Sequence, residues 1–285
     1  MIIIPIKTRI FLEWEDLLTF IEEYIDFKRQ DSVTSMEWQE QVQDFSSLSQ
    51  TQITLSKWQK HGLLHASQWH KHSERQKQIL EDGDILVITS KIVALAESRT
   101  FVAHTQEEKL EYVKAESSWY ARTKYVHLTI HDRMPMANAW IDESNGNGKC
   151  IMLPRDSYTS AYSIWLALKE RYSIANLGII ITDSRTIPFR NGTTWVSLGH
   201  AGFEWIRDYV GKLDIFGRPF HYARTNIPDA LATAAVHTMW EWDECQPLAV
   251  IKNPLVTYTD ESQTGDDLII DPEDDMYRPL FTALI

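Results

Sequence analysis

The sequence predicts a mixed α+β fold, sheets flanked by helices, and three observations carry that prediction. Short apolar runs rich in β-branched residues recur at Ile85–Ile88, Gly178–Ile181 and Leu248–Ile251, each too short for a helix and suited to a buried strand. Helical periodicity marks Glu13–Ile25, the stretch after Asp156 to Arg171, and Pro228–Trp240. Strands and helices are interspersed without strict βαβ alternation, and neither GxGxxG nor GxxxxGK followed by Ser or Thr occurs. No Rossmann or Walker nucleotide site is therefore available.

At 285 residues the chain is long enough for a sizeable core, and 44% hydrophobic with 24% charged residues is ordinary for a globular protein. The formal net charge of -12 argues against a nucleic-acid backbone or an anionic membrane as the main partner, since both need basic patches. A phosphorylated small molecule stays open, because a few local cations or a bound metal can reverse the field in one cleft. Two cysteines, Cys150 and Cys245, give neither a disulfide framework nor a zinc site. The apolar start has no basic segment before it and no small-residue cleavage site, so it reads as a strand and not as a signal peptide. With no run of membrane-spanning length, a cytoplasmic protein is expected.

Ile2–Ile4 is the first expected strand, ended by Pro5, and the cationic loop Lys7, Thr8, Arg9 follows. From Glu13 the stripe Trp14, Leu17, Leu18, Ile21, Tyr24, Ile25 predicts a helix whose aromatics belong to the core. Residues 31–75 are rich in Gln, Ser, His and Trp and poor in Gly and Pro, which predicts a helical insertion. His61 and His65 lie one helical turn apart there, but without a matching carboxylate motif they read as a polar helix surface. The strand at Ile85–Ile88 releases Thr89, Ser90 and Lys91 at its end. A helix is expected over Thr105–Thr123, a strand over Tyr125–Ile130, and another over Cys150–Leu153. Asp142 and Asn145 sit in a loop crowded with Asn, Gly and Ser.

Asp156 or Ser157 caps the next helix, with Tyr162, Trp165, Leu166 and Leu168 on its inner side. The central strand then delivers Thr182, Asp183 and Ser184 into a turn-rich loop containing Pro188, Arg190, Asn191 and Gly192. A carboxylate and a hydroxyl at a strand exit are held where a metal or phosphate could reach them, although the same two residues can simply start a turn. Ala201–Val210 reads as a helix, Gly211–Pro219 as turns, and the helix ending near Trp240 offers Glu241, Asp243 and Glu244.

Five stretches in order resemble the coenzyme F420 gamma-glutamyl ligase family: DGDILVITSKIVALAESR (82–99), MANAWIDESN (136–145), GIIITDSRTIPFRNGTTWVSLGHAGF (178–203), RDYVGKLDIFGRPF (207–220) and PDALATAAVHTMWE (228–241), with a similar ending at 271–281. The resemblance implies one ligase domain over 1–285, or two intertwined lobes of it, and a homodimer. It implies an enzyme that joins L-glutamate to a carboxylate acceptor, coenzyme F420-0 or a related small acid, through an acyl phosphate formed from GTP or ATP.

Carried onto this chain, the resemblance makes Asp142 and Asp183 ligands of Mg2+ or Mn2+, with Ser184 and Glu241 at a second ion. Ser90, Lys91, Asn145 and the loop Lys7, Thr8, Arg9 would hold the nucleotide. Arg190 is either a phosphate or carboxylate clamp or a surface or dimer salt bridge. The chain also departs from the family pattern: Leu95 replaces a lysine, and Trp140, Trp195 and Trp240 stand where small or polar residues are usual. The alternative is a non-catalytic nucleotide- or metabolite-binding member of the same family.

Overall fold

The computed structural model describes residues 1–27, 77–271 and 273–279; the expected insertion at 31–75, with His61 and His65, lies outside them. The described elements run β1 (Ile2–Ile6), α1 (Leu17–Tyr24), β2 (Ile25–Phe27), β3 (Gln78–Leu80), β4 (Asp84–Thr89), α2 (Ser90–Ala96), β5 (Thr100–Phe101) and α3 (Gln106–Ala115). Then come β6 (Trp119–Arg122), β7 (His127–His131), β8 (Met134–Ala137), β9 (Cys150–Ile151), α4 (Ser157–Tyr172), β10 (Leu177–Thr186) and β11 (Thr193–Ala201). The chain closes with β12 (Ile206–Asp208), β13 (Arg224–Asn226), α5 (Ile227–Met239) and β14 (Leu248–Lys252).

The main sheet has the order β1-β14-β4-β10-β11, and only the β4–β10 pair is parallel. Those two strands are buried on both faces, which is why they read as unbroken apolar runs and not as an alternation. Successive side chains on a strand point to opposite faces. Thus Leu177, Ile179 and Ile181 join Leu86, Ile88 and Val250 in a core with Phe20, Ile21, Ile92, Trp165 and Leu168 of α1, α2 and α4. Ile85, Val87, Ile180, Ala249 and Ile251 face the other way, onto Leu231, Ala232, Ala235, Val236 and Met239 of α5. The mixed α+β architecture expected from the sequence is what the chain adopts, with a β6-β7-β8 meander and the short β5–β9 pair beside the main sheet.

Several local expectations are corrected. Strand β1 runs through Pro5, which pairs with Ala249; β1 is an edge strand, where a missing N–H costs no ladder bond. The first helix begins at Leu17 because the Asp16 carboxylate caps it, accepting from the Thr19 amide at 2.7 Å. Trp14 therefore lies outside the helix, with φ 72° and 76% exposed, and is not core, while Ile25 belongs to β2. The expected helix over 105–123 stops at Ala115, since Trp119–Arg122 pairs with β7 as a hairpin. Leu166 of α4 is exposed, and the strand at Cys150 ends at Ile151.

Ala201–Val210 is not helical: Gly202 has φ 89°, Phe203 bridges to Tyr258, and Ile206–Asp208 pairs with β13. Such short strands take their conformation from a distant partner, which a local pattern does not show.

Candidate functional site

Register explains why residues far apart in sequence arrive together. Because β4 and β10 are parallel with Thr89 opposite Thr182, they release Ser90, Lys91, Asp183 and Ser184 side by side at their C-terminal ends. Strand β14 is antiparallel to β4 and starts at that same end, so the segment Glu241–Pro247 approaches there; the Thr89 amide donates to the Pro247 carbonyl at 2.9 Å. Strand β1 pairs with β14 through Ile6 and Leu248, which places the loop after Ile6 at this end as well. Thr8 is buried, and its amide donates to the Cys245 carbonyl at 2.8 Å.

The β10–β11 pairing shifts register at Ile181/Thr182, and past Thr182, its last partner on β4, strand β10 continues with β11 alone. Beyond it, Asp183 lies half-buried and accepts a hydrogen bond from the buried Ser90 hydroxyl. The Ser184 amide donates to its other oxygen at 2.7 Å. Burial pushes the Asp183 carboxyl up to about 6; the Ser90 and Ser184 donors and the Lys91 charge oppose this, and the nearby Glu241 carboxylate reinforces it.

Asp142 comes from a different direction. The residues before it, Asn138, Ala139 and Trp140, have φ of 51°, 50° and 58°, a left-handed turn that carries the chain back toward β10. The Trp140 indole donates to the Ser184 carbonyl at 2.5 Å, and Asp142 bridges to Ile151. Lys91 donates from Nζ to Asp142 Oδ2 at 2.5 Å, and to Ser144 Oγ at 2.7 Å and the Ser144 carbonyl at 3.1 Å. Burial would raise the Asp142 carboxyl, but Lys91 and the Ser144 donors outweigh it and hold it below the ordinary carboxylate value. The Asn145 amide donates to the Trp242 carbonyl at 3.1 Å, tying this loop to the segment after α5, where the Trp195 indole donates to Glu241.

The structure thus gathers Ser90, Lys91, Asp142, Asn145, Asp183, Ser184, Glu241 and the Thr8 backbone at one end of the sheet. Arg9 is committed elsewhere, to Glu15 at 2.8 Å and Glu23 at 2.9 Å, with Phe20 beneath its guanidinium. Lys7 is exposed, and Arg190 is exposed on the β10–β11 turn, its amide bonded to the Ile187 carbonyl at 3.1 Å. Sequence reasoning missed Ser144, although an Asp with Ser two residues on is a recognisable local motif, here with the Ser144 amide donating to Asp142 at 2.9 Å. It also missed that Trp195 orients Glu241, for which no local signal exists.

Chemically, this is a site of hard oxygen donors around one ammonium. Among the described residues no three His, Cys, Asp or Glu side chains form a ready cage for a metal ion. One or two carboxylates suffice for Mg2+, which keeps waters and takes its remaining ligands from substrate phosphates, so Asp183 with Glu241 or Asp142 fits such an ion.

Comparison with known proteins follows the same lines. Residues 61–253 match the model of the family described as F420-0:Gamma-glutamyl ligase. The chain is 29% identical over 220 residues to the coenzyme F420:L-glutamate ligase of Methanococcus maripaludis strain C7, a match covering 71% of this chain and 88% of that protein. It is 34% identical over 194 residues to the enzyme of the same name from Methanothermobacter thermautotrophicus, covering 61% of this chain and 76% of the relative.

Proposed function

Because the chain belongs to the F420-0:gamma-glutamyl ligase family, an enzyme family of acid–amino-acid ligases, we propose that it joins L-glutamate to coenzyme F420-0 or a closely related acid, using GTP or ATP. One observation supports this reading above the others. Four separate chain segments converge at one sheet end and bring Lys91, Asp142, Asp183 and Glu241 together, the charges that a triphosphate and its cation need.

In the proposed reaction an acceptor carboxylate oxygen attacks the γ-phosphorus, and the nucleoside diphosphate leaves. The glutamate amine then attacks the acyl carbon, phosphate departs, and the amine gives up a proton. Asp142, Asp183, Ser184 and Glu241 are the residues that would hold Mg2+ or Mn2+, which when bound neutralises phosphate charge. Lys91 supplies the fixed positive charge of the site, held in place by Ser144. Ser90 and the Ser184 amide fix the Asp183 carboxylate, and Trp195 fixes that of Glu241. Arg190, exposed on the β10–β11 turn, is the residue available to pair with an incoming carboxylate or phosphate.

The test is phosphate release from GTP or ATP with magnesium or manganese, L-glutamate and a coenzyme F420-0-type acceptor. Release that requires both acid and glutamate, and falls at least 100-fold in Asp183→Asn, is expected. Because Asp183 must lose its proton to hold a cation, divalent-ion affinity should rise as pH increases through about 6. Nucleotide binding without turnover under every combination would instead favour a binding protein.

A further inference from the structure

A second site lies outside the acid cluster. A cleft of about 350 Å³, within the range of small-molecule sites, opens between α3 and the β6–β7 hairpin, and none of its lining residues belongs to the cluster described above. Its apolar floor comes from Leu110 and Val113 of α3, and its rim carries Arg122, Lys124 and Tyr125 of the hairpin.

Three features make it a built site. The turn holding Lys124 and Tyr125 is fixed at both ends: the Thr123 amide donates to the Val126 carbonyl at 2.9 Å, and the Val126 amide returns a bond to Thr123 Oγ1 at 3.1 Å. Arg122 and Lys124 are paired with no carboxylate among the described residues, and Lys124 lies 5.0 Å from the Tyr125 ring centre. The third cation, Lys109, is bonded to Glu143 at 2.7 Å. In a chain of net charge -12, the lining carries these two unpaired cations against one acid of its own, Glu107.

We propose that this cleft binds a small organic anion, a carboxylate or phosphate head on an apolar or aromatic body. Arg122 and Lys124 take the head, and Tyr125 and the Leu110–Val113 floor take the body. The cleft shares a wall with the acid cluster's loop. Asn138, on its lining, accepts from the His127 amide at 3.0 Å and begins the left-handed turn to Asp142, and Lys109 holds Glu143 next to Asp142.

The experiment is isothermal titration of the full chain with phenyl phosphate and with 3-phenylpropionate, without metal or nucleotide. Saturable one-to-one binding of at least one probe is expected. It should weaken at least tenfold in Arg122→Gln/Lys124→Gln and several-fold in Tyr125→Ala, and stay within twofold of wild type in Asp183→Asn. These hairpin residues are exposed, and unchanged melting of the variants confirms that only the rim was altered.

No saturable binding of either probe overturns the proposal, as does binding insensitive to the rim substitutions or abolished by Asp183→Asn. The titration contains no nucleotide, so it stands whether or not ligase turnover is found. Where turnover is measured, inhibition by the bound probe competitive with the acceptor identifies the acceptor's anionic part as the occupant. Inhibition non-competitive with the acceptor identifies a separate effector.

Discussion

His200 is the least accommodated polar residue of the described chain. It lies in β11 opposite Ile180, 2% exposed, with neither ring nitrogen hydrogen-bonded. Its neighbours are rings: Tyr158, Phe203 and Trp205 lie 5.2, 5.5 and 6.4 Å away between centroids. Burial alone pushes its imidazole down to about 3, from an ordinary 6.5. As pH falls below 6.5 the unfolded chain gains a proton that the folded chain refuses, so stability falls by up to about 1.4 kcal/mol per pH unit. That is roughly 2 kcal/mol by pH 5.

Asp183 has the opposite sign: its carboxyl is raised in the folded state, so folding loses stability as pH rises from about 4 through 6. The two contributions separate by substitution. Urea unfolding of His200→Leu should lose about 2 kcal/mol less than wild type between pH 7 and pH 5. An identical pH dependence in the variant would mean that His200 is protonated in the folded protein.

Element packing depends on a few close approaches of backbone to backbone. A Cβ at Gly199 of β11 would lie 2.3 Å from the Ser157 carbonyl oxygen, at the start of α4, and no flexible side chain stands there to yield. Gly199→Ala should therefore cost about 2–3 kcal/mol in urea unfolding, by forcing α4 off the sheet. Gly192 on the β10–β11 turn is the converse case, with a positive φ of 91° and open space around it, so Gly192→Ala should cost only about 1 kcal/mol. A cost at Gly199 no larger than that at Gly192 would mean that α4 shifts to admit the methyl group and that the contact is not a tight one.

The same distinction explains what the sequence revealed. Strands β4, β10 and β14 and helices α4 and α5 were legible because burial on a face, or on both, is written into residue period. Strands β6 and β12 were read as helix because a short strand owes its form to its partner, β7 or β13. Asp183 and Ser90 were legible singly as polar residues at strand ends. Their contact, across 93 residues, depends on the β4–β10 register, and that is not in either local pattern.

At the scale of the whole molecule, the main sheet has two ends with different work. At the C-terminal ends of β4 and β10 lie two acids without a cation of their own, Asp183 with its raised carboxyl and the exposed Glu241, beside the Lys91–Asp142 pair. The opposite end is closed by a buried clamp. Lys252 of β14 donates to Asp84 Oδ2 at 2.6 Å, Glu81 at 3.3 Å and the Ile79 carbonyl at 2.8 Å. Asp84 is only 3% exposed, and burial raises its carboxyl in spite of the lysine. Removing the lysine leaves a buried carboxylate without its charge partner, which costs about 3–5 kcal/mol.

Lys252→Met should therefore lower the melting temperature sharply at pH 7, and less as the pH is lowered, because the raised Asp84 carboxyl takes up a proton more readily than an ordinary one. The added change Asp84→Asn should restore much of the loss. Because the clamp and the acid cluster lie a full strand length apart, nucleotide affinity of Lys252→Met, measured well below its melting temperature, should stay within twofold of wild type. A drop in affinity well beyond twofold would mean that the sheet transmits strain along β4, and that its two ends are not separable.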